Sequence, residues 1–180
     1  DAVHFPEGAR VLELGCGESR HPASSVAVDV RATRCTDFTV DFNNPPYQIA
    51  GDDFDIIYSQ FMLEHVAYHI IPAMLKECCR IVRPGGMVAF VTPNTEEQLK
   101  WIQKHPEGWG GKDFYNAASE LIFGTLDYPE NSHRAFLSPD IAVKLFVEAG
   151  FSEVQTTRFG SAGTDMLIQA RRPIVDGPQA

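Results

Sequence analysis

The 180-residue chain lacks any apolar run of the ~18 residues that a membrane-crossing helix needs. It opens Asp1-Ala2-Val3-His4, with no basic stretch leading into an apolar one, so neither a spanning segment nor a secretory leader is expected. Met is missing at position 1 as well, which suggests a trimmed domain. The four cysteines, Cys16, Cys35, Cys78 and Cys79, form no Cys-x-x-Cys pair. They predict reduced thiols in a cytoplasmic protein, with neither a disulfide frame nor a metal site. Positive charge is in short supply: 15 Lys and Arg stand against 24 acids, a net charge of −9. A nucleic-acid partner needs a basic face for phosphates, so none is expected, whereas a cationic ligand would not be repelled. No internal repeat or low-complexity tract breaks the chain, and its length is that of one domain with one core.

What is present is an alternation of strand and helix patterns, which favours an α/β fold on a mostly parallel sheet. Strands are expected at Arg10 to Leu14, Ser25 to Val30, Cys35 to Val40, Phe54 to Ser59, Met87 to Val91, Val154 to Phe159 and Asp165 to Ala170. The segment Ile70 to Val82 sets Ile71, Met74, Leu75, Cys78, Ile81 and Val82 on one stripe at helical spacing, and Pro84-Gly85-Gly86 should end it. A last helix starts at Ser138, a capping residue followed by Pro139. Its apolar face is read as Ile141, Leu145, Phe146 and Ala149, and Gly150 closes it. Residues 95–135 do not fit the alternation. They hold Trp101, Trp109 and four glycines, with helices expected near 96–104 and 115–123. So long an insert reads as a lid or acceptor-binding segment within a single domain of residues 1–180.

The chemistry-bearing pattern is Glu13-x-Gly15-x-Gly17 at the end of the first strand. Glycines there allow a sharp turn and a close approach of backbone to a ligand, although the same pair also serves a tight turn with nothing bound. Asp29 ends the next strand, twelve residues after Gly17. An acid at that place can accept bonds from ribose hydroxyls, or simply sit in a solvated turn. Arg20 stands where a dinucleotide fingerprint would have its third glycine, and no plausible Tyr-x-x-x-Lys pair appears, so a nicotinamide-dependent reductase is the poorer reading.

The ordered series Val11-Leu12-Glu13-Leu14-Gly15-Cys16-Gly17, Val28-Asp29, Asp41-Phe42, Phe54-Asp55-Ile56-Ile57-Tyr58-Ser59, Met62-Leu63-Glu64-His65-Val66 and Arg83-Pro84-Gly85-Gly86 resembles class I S-adenosylmethionine-dependent methyltransferases, most closely those with a Leu-Glu-His-Val stretch. Glu148 to Val154 is similar to their last helix-to-strand passage, and the likeness runs over about residues 9–171. The resemblance implies a Rossmann-like fold: seven strands in the order 3-2-1-4-5-7-6, the last antiparallel, with helices on both faces. The link Gly160-Ser161-Ala162-Gly163, too short for a helical crossover, agrees with an antiparallel end. The cofactor implied is S-adenosyl-L-methionine. By the same resemblance Glu13, Gly15, Cys16 and Gly17 face its methionine end, Asp29 holds the ribose, Asp41 meets the adenine amino group, Phe42 packs on the ring, and Ser59 and Gln60 border the methyl-transfer site. Phe42 could equally be core packing. The chain departs from the family between Glu18 and Ser24, where only seven residues, Pro22 among them, replace a full helix.

Methyl transfer from a sulfonium leaves the protein mainly the task of alignment. A hydroxyl acceptor also profits from a base. His65, after the fourth strand, and His133, before the last helix, are the candidates, and each could instead be a structural histidine. His4, His21, His69 and His105 have weaker claims on position. Glu64-His65 also resembles cyclopropane-forming methyltransferases, whose lipid acceptors would want a larger apolar pocket. The expected activity is therefore methyl transfer to an oxygen or nitrogen of a small molecule or glycan. The competing reading is a cofactor-binding but inactive module of a larger protein.

Overall fold

A computed structural model describes residues 3–174; the ends of the expected 1–180 domain lie outside the described residues. Among the described residues the strands are β1 (Val11–Leu14), β2 (Val26–Asp29), β3 (Phe38–Thr39), β4 (Phe54–Gln60), β5 (Val82–Pro93), β6 (Ser152–Phe159) and β7 (Asp165–Arg171). The helices are α1 (Ile71–Ile81), α2 (Thr95–Lys104), α3 (Phe114–Phe123) and α4 (Pro139–Glu148). The strands form one sheet in the order β3-β2-β1-β4-β5-β7-β6. Neighbours from β3 to β5 run parallel, and β7 is antiparallel to both β5 and β6. This is the expected topology, and it gathers the carboxyl ends of β1, β2, β4 and β5 on one edge.

The two sheet faces are packed unequally. On one, Leu12, Leu14, Val28, Ile57, Val88, Phe90 and Ile168 meet α1 and α4 in the main core. Helix α1 buries Ile71, Met74, Leu75, Cys78 and Ile81, the stripe expected from its spacing. On the other, Val11, Ile56, Tyr58, Ala89, Val91 and Leu167 pack with Val3, Phe5 and Ala9. Phe5 stands edge-on to Tyr58, with ring centroids 5.2 Å apart.

Three local expectations change. Ile141 is 38% exposed, and Ala142 takes the buried place beside Leu145 and Phe146. Ser138 accepts from the Ile141 N–H as the expected cap, and the buried face runs through Ala142, Leu145 and Phe146 at helical spacing, leaving Ile141 at its edge. Pro84-Gly85-Gly86 lies inside β5 at the register shift between Phe54 and Ile56, where an unpaired residue and a missing N–H do no harm. The third strand shrinks to Phe38–Thr39, because Thr33 and Thr36 draw the preceding residues into a turn against the glycine loop.

Candidate functional site

The chain leaves β1 through Gly15 at φ +76° and Gly17 at φ +54°. The N–H groups of Gly15 and Cys16 both donate to the Val28 carbonyl, at 2.8 and 3.3 Å. The two glycines are required for different reasons. A Cβ on Gly15 would lie 2.6 Å from both Cβ and Cγ of Met62, so the close approach is to protein; at Gly17 nothing stands within 4 Å, and the space opens into a cavity. Asp29 ties this loop to β2: Oδ2 accepts from the Gly17 N–H at 2.9 Å and Oδ1 from the Arg31 N–H at 2.9 Å. Each carboxylate oxygen keeps a further lone pair for a ligand.

No helix forms between β1 and β2, as the short spacing required. Two buried or half-buried side chains hold the connection instead. Glu13 Oε2 accepts from the His21 N–H at 2.8 Å and from the Ser25 hydroxyl at 3.0 Å. Arg20 donates to the Cys35 and Ser25 carbonyls and to Asp37. Burial pushes the Glu13 carboxyl above its ordinary value, against the pull of those two donors. Glu13→Ala strands both donors and is expected to cost about 1–3 kcal/mol of stability. Glu13→Gln, which keeps an acceptor oxygen, should recover most of it; thermal unfolding of the two variants measures the difference.

Loop, β2 and the end of β4 enclose a cavity of about 360 Å³. Of the residues expected at a cofactor site, Glu13, Gly15, Cys16, Gly17, Asp29, Phe42 and Gln60 line it, and so does His65. Asp41 is exposed and outside the lining; it accepts from the Asn43 N–H at 3.0 Å, and Asn43 lines the wall in its place. Ser59 is fully buried and donates to the Leu14 carbonyl at 3.0 Å. Strand alternation turns it to the face opposite Gln60. Burial raises the Cys16 thiol, so it stays protonated. Sequence reading missed Arg31, Phe61, Met62, Tyr128 and Arg134, all in the lining. Phe61 sits at φ +53°, a conformation that bulky residues rarely hold and that tends to mark functional sites. The Arg31 guanidinium lies 3.9 Å over the Tyr128 ring, fastening the end of the insert to the β2 side of the cavity.

A second cavity adjoins the first through Phe61, His65 and Asn131, and Glu64, Gln98, His133 and Asp165 are on its wall. His65 Nδ1 is 3.1 Å from the Ser132 carbonyl, and the His65 and His133 ring centroids are 5.1 Å apart. Burial lowers the pKa of both imidazoles, and each keeps a neutral ring at neutral pH. Glu64 is fully buried, accepts from the Thr92 hydroxyl at 3.0 Å, and is pushed up to about 8 by burial. Its carbonyl accepts from the Arg134 and Ala135 N–H groups, which pins the returning insert to the turn that follows β4. Burial also raises Asp165 to about 6. The ligating atoms of Glu64, His65 and His133 lie within 4.8 Å of one another. The insert thus lines the first cavity through residues 128–134 and the second through Gln98 and residues 120–133. Its tryptophans line neither: Trp101 stacks on His105 at 4.0 Å, and Trp109 meets that imidazole edge-on.

Known proteins share the family and the fold. A family model described as a methyltransferase domain matches residues 2–156. Ubiquinone biosynthesis O-methyltransferase of Agrobacterium fabrum is 31% identical over 134 residues, covering 57% of this chain and 53% of that protein. The chain spans about half the length of the curated relatives it matches. Two solved structures superimpose with a TM-score of 0.62 each. One is an S-adenosylmethionine-dependent methyltransferase from Mesorhizobium loti, 15% identical, covering 93% of this chain and 94% of that one. The other, from Thermotoga maritima, is described as a possible histamine N-methyltransferase; it is 19% identical, covering 93% of this chain and 84% of that one. At those identities the likeness is one of fold.

Proposed function

The chain belongs to the class I S-adenosylmethionine-dependent methyltransferases, and from that premise we propose that it methylates an oxygen of a small molecule or glycan presented at the His65 side of the glycine-loop cavity. The observation that carries this reading is the junction of three elements in one cavity: the open space beside Gly17, the Asp29 carboxylate and the His65 imidazole. Those residues fit the cofactor, since the loop leaves room where a Cβ would stand and Asp29 has lone pairs free for ribose hydroxyls. When bound, the sulfonium supplies an electrophilic methyl carbon with a neutral thioether as leaving group. Glu13, Cys16 and Gly17 are assigned to the methionine end, Phe42 and Asn43 to the adenine side, and Gln60 with Phe61 to the methyl-transfer end. His65 takes the acceptor proton, and His133 behind it supports the neutral imidazole pair. Oxygen is favoured over nitrogen because the relatives aligned over this region are O-methyltransferases by name.

Residues 95–135 are assigned as the lid on the acceptor side, with Tyr128 to Arg134 as the part that meets ligand. No helix among the described residues is long and apolar enough to cross a membrane. The cysteines are all free, which suits a reducing compartment, and we assign the protein to the cytoplasm.

Titration calorimetry with adenosylhomocysteine tests the assignment. Asp29→Ala is expected to weaken binding by about 1–3 kcal/mol, the cost of losing a charge-assisted bond. Asp29→Asn keeps one acceptor for the Gly17 N–H and should hold the loop while losing the charge, so it falls between alanine and wild type. Wild-type affinity in a folded Asp29→Ala protein would make Asp29 a turn residue only.

A further inference from the structure

The Glu64, His65 and His133 cluster answers to more than proton transfer. We propose that these three side chains form a site for one divalent first-row transition-metal cation, at the wall shared by the two cavities, with Asp165 facing the same space.

The chemistry of the donor set points there. His65 places Nδ1 3.1 Å from the Ser132 carbonyl, so Nδ1 carries the proton and Nε2 keeps its lone pair. The His133 ring faces it, with centroids 5.1 Å apart, and lines the second cavity. A metal-binding imidazole characteristically gives its second N–H to a backbone carbonyl, which fixes the tautomer and aims the ring. Glu64 uses Oε2 for the Thr92 hydroxyl, and among the described residues no cationic side chain pairs with it. Two imidazoles and a buried carboxyl group thus face one another with all ligating atoms inside 4.8 Å, and the cationic charge bearing on them is that of Arg134, on the His65 side. Bonds of about 2.0–2.2 Å to nitrogen and oxygen set donor atoms roughly 3.4 Å apart around a tetrahedral cation, so binding requires the three groups to close in by about 1 Å. The cluster is built from two distant stretches, and the Arg134 and Ala135 bonds to the Glu64 carbonyl hold them in register. Imidazole nitrogens with carboxylate oxygen select zinc, manganese and their neighbours over magnesium and calcium, which prefer oxygen ligands alone. This site deepens the proposed reading: a cation there gives a hydroxyl acceptor a Lewis-acid partner in the position otherwise held by the imidazole base. Binding of the metal itself does not depend on that reading.

The test uses the whole chain, stripped with a chelator and kept in a phosphine reductant. Zn²⁺ and Mn²⁺ are titrated separately by calorimetry, with Mg²⁺ as the control, and retained metal is counted by elemental analysis. The expected result is one Zn²⁺ per chain, no saturable Mg²⁺ binding, and a loss of about tenfold or more in Zn²⁺ affinity for His133→Ala and for the milder His133→Asn. The Co²⁺ form should show ligand-field bands without a thiolate charge-transfer band. Absence of stoichiometric Zn²⁺ in the wild-type chain overturns the proposal, as does unchanged affinity in both His133 variants or a thiolate band that moves the metal to Cys16 or Cys35. Adenosylhomocysteine titrations on the same samples separate the two readings. Zinc binding without nucleoside binding would sink the methyltransferase assignment alone, and nucleoside binding without zinc would sink the metal site alone.

Discussion

Replacing Gly15 with alanine is expected to lower the unfolding free energy by about 2–5 kcal/mol and to abolish adenosylhomocysteine binding. Two costs add. An L-residue at φ +76° gives up about 1–2 kcal/mol against the left-handed backbone. The new methyl group would also arrive 2.6 Å from Met62 Cβ and Cγ, atoms next to the backbone that cannot swing aside, and overpacking of that kind costs about 1–3 kcal/mol. The loop must then move off the Val28 carbonyl and the Asp29 carboxylate, which define one wall of the cavity. Gly17→Ala is the control. It has a comparable backbone cost of about 1 kcal/mol but no atom within 4 Å of the new Cβ. Its unfolding temperature should fall by only about 2–4 °C while affinity falls, because the methyl group occupies ligand space. Denaturant unfolding with calorimetry on both variants decides the matter. Equal stability losses at 15 and 17 would mean that Met62 yields, and that Gly15 serves only the turn.

That contrast shows what could be read in the chain and what could not. Gly15, Gly17 and Asp29 come together because they end neighbouring parallel strands, and strand ends are visible as the limits of Val- and Leu-rich runs. The α1 stripe was legible from periodicity, whereas the sheet order came from the family resemblance, with only the antiparallel end supported by the short Gly160–Gly163 link. Ser59 stood beside the right residues in the sequence, yet a period of two puts it in the core while Gln60 faces the cavity. Ile141 was misplaced because the buried face runs through Ala142, Leu145 and Phe146, and Ile141 falls at its edge. Phe61 carried no signal, since its positive φ follows from how β4 ends above Met62 and not from residue type. The resemblance led us to expect His65 and His133 at the same strand ends, but their ring separation of 5.1 Å could not be read along the chain. It depends on the insert returning to the Glu64 carbonyl, a long-range contact with no periodic trace. The expectation of no metal site rested on cysteine spacing and could not weigh that cluster.

His65→Ala should lower the rate of methyl transfer to a hydroxyl acceptor by about 10²–10⁴-fold, or roughly 3–5 kcal/mol of barrier, with adenosylhomocysteine affinity nearly unchanged. His65 is the group placed for it: it lines the cofactor cavity and the adjoining one, and its ring is held by the Ser132 carbonyl with Nε2 left to accept. His133 lines only the second cavity, so His133→Ala should cost less in chelator-treated protein, where no cation joins the two rings. Loss of the imidazole leaves a gap of the same shape. Added imidazole should therefore restore part of the rate in His65→Ala by taking the acceptor proton from that gap. A histidine that only braces the Ser132 loop would behave differently: its loss would lower melting temperature and rate together, and free imidazole would restore neither. Single-turnover rates, melting temperatures and nucleoside affinities for the wild-type, His65→Ala and His133→Ala proteins, with and without imidazole, distinguish these outcomes. Full turnover in both variants would remove the base from the mechanism. It would leave alignment of an amine acceptor, which needs only to arrive neutral, as the way this cavity moves a methyl group.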